Sequence, residues 1–299
     1  MAEPVSAPGA PSSRTNVPVA VAWMLVTGFL FVAVTGIVRY LGSDMPAAEG
    51  AFIRYAIGLA MISPALIGMI RRGAAPGSMK LYALRGIVHG FGVLLWFYAM
   101  ARIPIAEVTA IGYSSPIFVT IGAALFLGER LRARRIAAVV FGLIGVLIIL
   151  RPGFQEIGPG QLAQLIAAPL FAASFLIAKR LTDIASSAEI VAMLSVGCTL
   201  LLLPFALVEW RDPTWEELFW LTLTAACATA GHYTLTRAYA AAPITVTQPI
   251  TFLQIVWATL LGAVMFAEPV DAYIMAGAAV IVASAWYIAR REMVLRTAT

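Results

Sequence analysis

Residues 104–129 read PIAEVTAIGYSSPIFVTIGAALFLGE, and residues 243–268 read PITVTQPITFLQIVWATLLGAVMFAE. Each stretch opens on a Pro and runs through mostly apolar residues with a polar cluster and a second Pro inside. Each closes on a Glu 25 positions after the first Pro. A second set of landmarks carries the same echo. Arg39, Glu49 and Pro64 stand 140 positions before Lys179, Glu189 and Pro204. Landmarks that return at a fixed interval mark two copies of one structural unit.

The chain is 61% hydrophobic and only 12% charged, about half the ~25% of a soluble domain. Charge this scarce, with long apolar runs, places the chain in a bilayer. The net charge of +5 does not indicate nucleic acid, because the basic residues lie between apolar runs and read as topology signals. Cys198 and Cys227 fall inside apolar runs with no His or carboxylate at ligand spacing. They read as small buried hydrophobes rather than a disulfide or metal pair. No phosphate loop, nucleophile triad or zinc spacing is present. The expectation is therefore no enzyme, no cofactor and no metal.

A spanning helix needs about 20 apolar residues. Ten candidates appear, at 19–38, 51–70, 81–100, 105–127, 136–150, 162–178, 190–208, 218–235, 244–266 and 273–289. The fifth is short and can extend back over Arg134 and Arg135, whose stems snorkel. The run after the Pro- and Ser-rich first 17 residues is too long for the core of a signal peptide and reads as the first span. With the N-terminus in the cytoplasm, every one of the 20 Lys and Arg lies on the cytoplasmic side except Arg39, Arg54, Arg102, Arg151 and Arg211. This positive-inside bias puts both termini in the cytoplasm of a bacterial-type inner membrane. The domain reading is a flexible tail at 1–17, a first five-helix repeat at 18–151, a second at 152–290 and a tail at 291–299. Five helices per repeat is an odd number, so the second copy enters the membrane the opposite way up. Inverted repeats of this kind build secondary transporters.

At Leu125-Phe126-Leu127-Gly128-Glu129-Arg130, followed by Gly142 and Gly145, the chain resembles the drug/metabolite transporter superfamily, EamA type. Phe52-Ile53-Arg54-Tyr55 is similar to that family's second-helix pattern, and Ala101 to Pro104 with Pro116-Ile117 to its third-to-fourth helix pattern. The second copy departs from the signature, with Ala267-Glu268-Pro269 in place of Gly-Glu. The resemblance implies an all-α membrane fold of ten helices in two inverted repeats. Length and aromatic content are similar to the aromatic amino-acid exporter branch. The superfamily's small multidrug pumps use a buried Glu in their first helix, and the first and sixth runs here contain no carboxylate.

Pro116, Pro169 and Pro249 each lack an N–H inside a span and free a carbonyl one turn back. Such a carbonyl is tolerated where it faces protein or a watery cavity. Tyr113, Ser114 and Ser115 flank the first break, and Gln248 and Gln254 accompany the third. His89 lies near the membrane midplane, where an ionisable residue is a candidate for function. A neutral His bonded to a neighbouring helix is the bland alternative. Gly86 and Gly90 flank it at small-xxx-small spacing, which close helix packing explains. His232 and Tyr233 read as lining an entrance. Trp96, Tyr113 and Phe171 can stack on a substrate side chain, although most membrane Trp and Tyr are interfacial anchors. Helices five and ten read as outer scaffold.

The sequence thus predicts a secondary transporter with a cavity among helices one, three, four, six, eight and nine. The expected cargo is a small amphipathic metabolite, best an aromatic or large apolar amino acid, moved outward. An exporter of quaternary or aromatic cations is the alternative. Expected partners are the small-molecule substrate and the lipid bilayer, with the protein a monomer or weak homodimer.

Overall fold

The structure, a computed structural model, describes residues 16–42, 44–112, 114–115, 117–118, 133–151, 156–242, 247, 250–251 and 253–297. At 133–136, 138–139, 285 and 287–297 it describes the backbone alone. Ten helices appear among these residues. They are α1 (Val17–Leu41), α2 (Ala47–Arg72), α3 (Ser78–Met100), α4 (Ile105–Gly112), α5 (Ala133–Leu150), α6 (Pro159–Leu181), α7 (Ser187–Val208), α8 (Trp215–Ala241), α9 (Leu253–Phe266) and α10 (Ala272–Thr297). No strand occurs among the described residues. Inside a bilayer, a helix satisfies its backbone polar groups within one segment, which explains why apolar runs of this length fold so.

Among the described residues five helices, α1, α2, α3, α6 and α7, are long and apolar enough to cross a membrane, and α9 and parts of α5 and α10 are shorter apolar helices. α8 is 27 residues long but carries a polar stripe. Its threonines return their hydroxyls to carbonyls three or four residues back, as Thr224 does to Trp220 and Thr236 to His232. That bonding hides polar groups within the helix itself. α4 and α9 are described over only part of the runs predicted for them. α5 does extend back to Ala133.

The packing has a twofold pattern. α1 lies along α8 as α6 lies along α3; α3 meets α7 as α8 meets α2; α1 meets α9 as α6 meets α4. α2 faces its counterpart α7, α4 faces α9, and α5 faces α10. Exchanging the first five helices for the second five leaves this set of pairs unchanged. Small residues permit the closest crossings. A Cβ on Gly86 of α3 would stand 2.8 Å from Gly197 Cα of α7, and one on Gly145 of α5 would stand 2.7 Å from the Gly277 oxygen of α10.

Polar contacts sort the helix ends into two layers. In one layer Arg39, at the end of α1, pairs with Glu268 beyond α9 at 2.9 Å and donates to the Met100 carbonyl at the end of α3. Arg151 beyond α5 pairs with Asp271 before α10 at 2.7 Å. Arg211, between α7 and α8, pairs with Glu217 and donates its backbone N–H to Glu49 at the start of α2. In the opposite layer, Arg72 at the end of α2 pairs with Glu189 at the start of α7 at 2.8 Å, and Lys179 of α6 donates to the Tyr239 carbonyl of α8. Successive helices therefore alternate in direction, and each helix runs opposite to its counterpart five elements on. The outside is apolar: Phe141 and Leu147 of α5, Val264 and Met265 of α9 and Trp215 of α8 are exposed. Exposed apolar area on this scale marks a surface that water does not cover.

Candidate central cavity

A cavity of about 220 Å³ lies where α1, α2, α3, α4, α6, α8 and α9 converge. α3 and α8, twofold counterparts, each bring one histidine to it. The rings of His89 and His232 lie 5.0 Å apart between centroids, edge to face. His89 Nδ1 is 2.9 Å from Ser174 Oγ of α6. Its ring also meets Phe171 at 5.1 Å and Tyr55 at 6.4 Å. His232 meets Phe31 of α1 at 5.2 Å, and its Nδ1 is buried without a hydrogen-bond partner. Phe171 stacks on Phe175 at 6.3 Å. The walls are therefore aromatic on several sides.

Of the residues singled out in the sequence, His89, Trp96, Ser115, Phe171, His232 and Gln254 line this one cavity. Ser115 donates to the Gly112 carbonyl and, across to α6, to the Ala168 carbonyl beside Pro169. α6 itself runs unbroken through Pro169. Ser114 is buried but not part of the lining. Tyr233 also stands outside it, its hydroxyl accepting a hydrogen bond from Arg237. One step along a helix turns a side chain by about 100°, so the residue after His232 faces elsewhere. His232 lies at the cavity rather than at an entrance. It stands nine residues before α8's last residue, Ala241, and His89 stands eleven beyond α3's first, Ser78, so the two reach similar depth. Tyr113, Pro116, Gln248 and Pro249 lie outside the described residues.

Sequence reasoning missed several contributors, among them Phe31 of α1, Arg54 and Tyr55 of α2, Gln164 of α6 and Tyr239 of α8. The sequence reading counts Arg54, at the start of the second run, only as an outer-side topology charge. It is 6% exposed, with its Cζ 3.8 Å above the Tyr55 ring centroid and its Nη1 unpartnered. Arg85 of α3, counted as a cytoplasmic-side topology charge, is 1% exposed and gives Nη1 to the Ile190 carbonyl. The available signal was position: Arg54 stands seven residues inside α2, about 10 Å along the axis, where a charge calls for a functional reading. Gln164 Oε1 is buried and unpartnered.

A second cavity, about 450 Å³, opens at the end where α1 and α3 finish, beside Asp44, Arg102 and Glu209. Phe97 lines both cavities. Among the described residues no cluster of His, Cys, Asp or Glu fits a metal ion.

The profile of the EamA-like transporter family matches residues 18–151 and 158–290. The chain belongs to the EamA-like transporter family. The two matched segments are the two five-helix halves. A riboflavin transporter of Rhizobium johnstonii is 31% identical over 274 residues, covering 91% of each chain. A riboflavin transporter of Vibrio cholerae is 30% identical, covering 90% of this chain and 92% of the relative. An S-adenosylmethionine uptake transporter of Rickettsia bellii is 24% identical, covering 92% and 94%. A crystal structure 20% identical covers 94% of this chain and 99% of its own, with a TM-score of 0.61, and shares the fold. This protein is thus a multi-pass membrane transporter of small molecules, and its named relatives are transporters, not enzymes.

Proposed function

We propose that this protein is a secondary carrier for a planar heteroaromatic metabolite of the flavin type, bound in the central cavity and moved by alternating access. In this reading two inverted five-helix repeats, 18–151 and 152–290, rock about the cavity in a bacterial inner membrane, with both termini cytoplasmic. The composition of the cavity carries the proposal. Phe31, Trp96, Phe171 and Phe175 offer ring faces, and Gln164, Gln254 and Thr109 offer neutral hydrogen-bonding groups. A flat ring stacks on the first set and completes hydrogen bonds at its edge with the second. Two relatives near 30% identity that are named riboflavin transporters add support. A relative named for uptake favours inward movement over the export expected from the sequence. The cavity is smaller than the roughly 300–1,000 Å³ of small-molecule pockets, so a flavin-sized guest requires the helices to part, as rocking repeats would make them.

An amino acid with an aromatic side chain is the rival, because Arg54 also suits a carboxylate. Quaternary cations fit least, since no carboxylate stands among the described lining residues. Counterflow into proteoliposomes separates these readings. Vesicles preloaded with unlabelled riboflavin are expected to accumulate labelled riboflavin, while vesicles loaded with phenylalanine or tetraphenylphosphonium are not. Counterflow of phenylalanine without riboflavin would replace the flavin reading with the amino-acid one.

A further inference from the structure

We propose that Arg54 is the charge filter of the central cavity: it admits cargo that presents an anionic or acceptor-only group and turns organic cations away. The inference rests on the central cavity being the substrate site. Arg54 lines that cavity, is 94% buried by its 6% exposure, and leaves Nη1 without a hydrogen-bond partner. A guanidinium stays protonated in any protein environment, so its charge persists at membrane depth. Buried charges are paired or they are costly.

Among the described residues no acid forms an ion pair with Arg54. Among the described residues the ion pairs Arg39–Glu268, Arg72–Glu189, Arg151–Asp271 and Arg211–Glu217 all stand at helix ends. No carboxylate is among the described lining residues. Arg85, one turn before His89 on α3, adds a second buried guanidinium whose Nε and Nη2 are also unpartnered. The Tyr55 ring covers one face of the Arg54 guanidinium at 3.8 Å, a contact that leaves Nη1 without an acceptor. The occupant must supply that acceptor. Two planar groups present such an edge: a carboxylate, and the paired carbonyl and ring nitrogen of a dione ring. A cation supplies neither and meets like charge.

The test uses the full chain in nanodiscs, as wild type, Arg54→Gln and Arg54→Lys, with binding of labelled riboflavin, phenylalanine and tetraphenylphosphonium. Arg54→Gln should weaken the acceptor-bearing ligand by roughly 10- to 150-fold, the range for a hydrogen bond to a charged group. The same variant should bind tetraphenylphosphonium several-fold more tightly than wild type, a gain that misfolding does not produce. Arg54→Lys keeps the charge and should still exclude the cation. The cation measurement stands even where Arg54→Gln purifies poorly, because Arg54→Lys admitting tetraphenylphosphonium would overturn the filter. So would an Arg54→Gln variant that binds all three ligands as wild type does. Wild type that binds phenylalanine and not riboflavin, with the Arg54→Gln effects intact, removes the flavin reading and leaves the filter standing.

Discussion

Gly86→Leu is expected to abolish the folded carrier. The Cβ of any side chain here would stand 2.8 Å from the Gly197 Cα, and the reciprocal substitution would place a Cβ 2.7 Å from the Gly86 Cα. Both obstacles are backbone, so no rotamer relieves them. Small residues let two helix backbones approach in a bilayer, where apolar side chains alone give no preference for protein over lipid. A leucine must push α3 away from α7, and α3 carries His89, Trp96 and Phe97 to the cavity. Gly68→Leu is the control, since its nearest neighbour is the Arg72 guanidinium at 3.5 Å, the far end of a flexible side chain. Fluorescence-detected size exclusion should show no monodisperse peak for Gly86→Leu and a wild-type peak for Gly68→Leu. A Gly86→Leu protein with wild-type yield and melting temperature would refute the close crossing.

The second large effect is expected at Glu268. One carboxylate oxygen pairs with Arg39 at 2.9 Å, and the other accepts the Ile105 backbone N–H at 2.9 Å. Arg39 in turn donates to the Met100 carbonyl. This single acid therefore joins the ends of α1, α3, α4 and α9, four helices of the cavity wall. Removing one partner of a buried pair costs about 3–5 kcal/mol. The Glu268 side chain is 9% exposed and that of Arg39 24%, so the lower end, about 3 kcal/mol, is expected for Glu268→Ala. Glu268→Gln keeps an acceptor for Ile105 and should lose less. Thermal melting in detergent should therefore rank wild type above Gln above Ala, with Arg39→Glu/Glu268→Arg recovering part of the loss. Equal melting temperatures across the series would show that this contact does not hold the layer closed.

Glu268 also shows how far the sequence could be read. Its spacing from Pro243 marks the repeat, because landmark residues keep their interval. Its role as a junction of four helices depends on which helix ends meet, and that is tertiary information. The count of ten helices was legible from apolar runs, including the run at 218–235 that lies within α8, although α8 is more polar than α1 or α7. Its threonines and His232 are polar in the sequence and face α1 or their own backbone in the fold, as Thr27 and Thr234 do at 2.7 Å. His89 was legible as a buried ionisable group because it stands in the middle of an apolar run. Arg54 and Arg85 were not, because a charge near a run's end is ambiguous between a loop and a buried turn. Helical phase separated Tyr233 from His232, and without a neighbour's position the sequence could not assign that phase. The cargo was the least legible: aromatic walls suit an amino-acid side chain and a flavin ring alike.

The most direct test of the account is a structure of the purified carrier bound to riboflavin. The account predicts ring density inside the central cavity, against Trp96, Phe171 and His232, with an acceptor edge at Arg54. Density confined to the second cavity beside Arg102, with the central cavity unchanged, would contradict it.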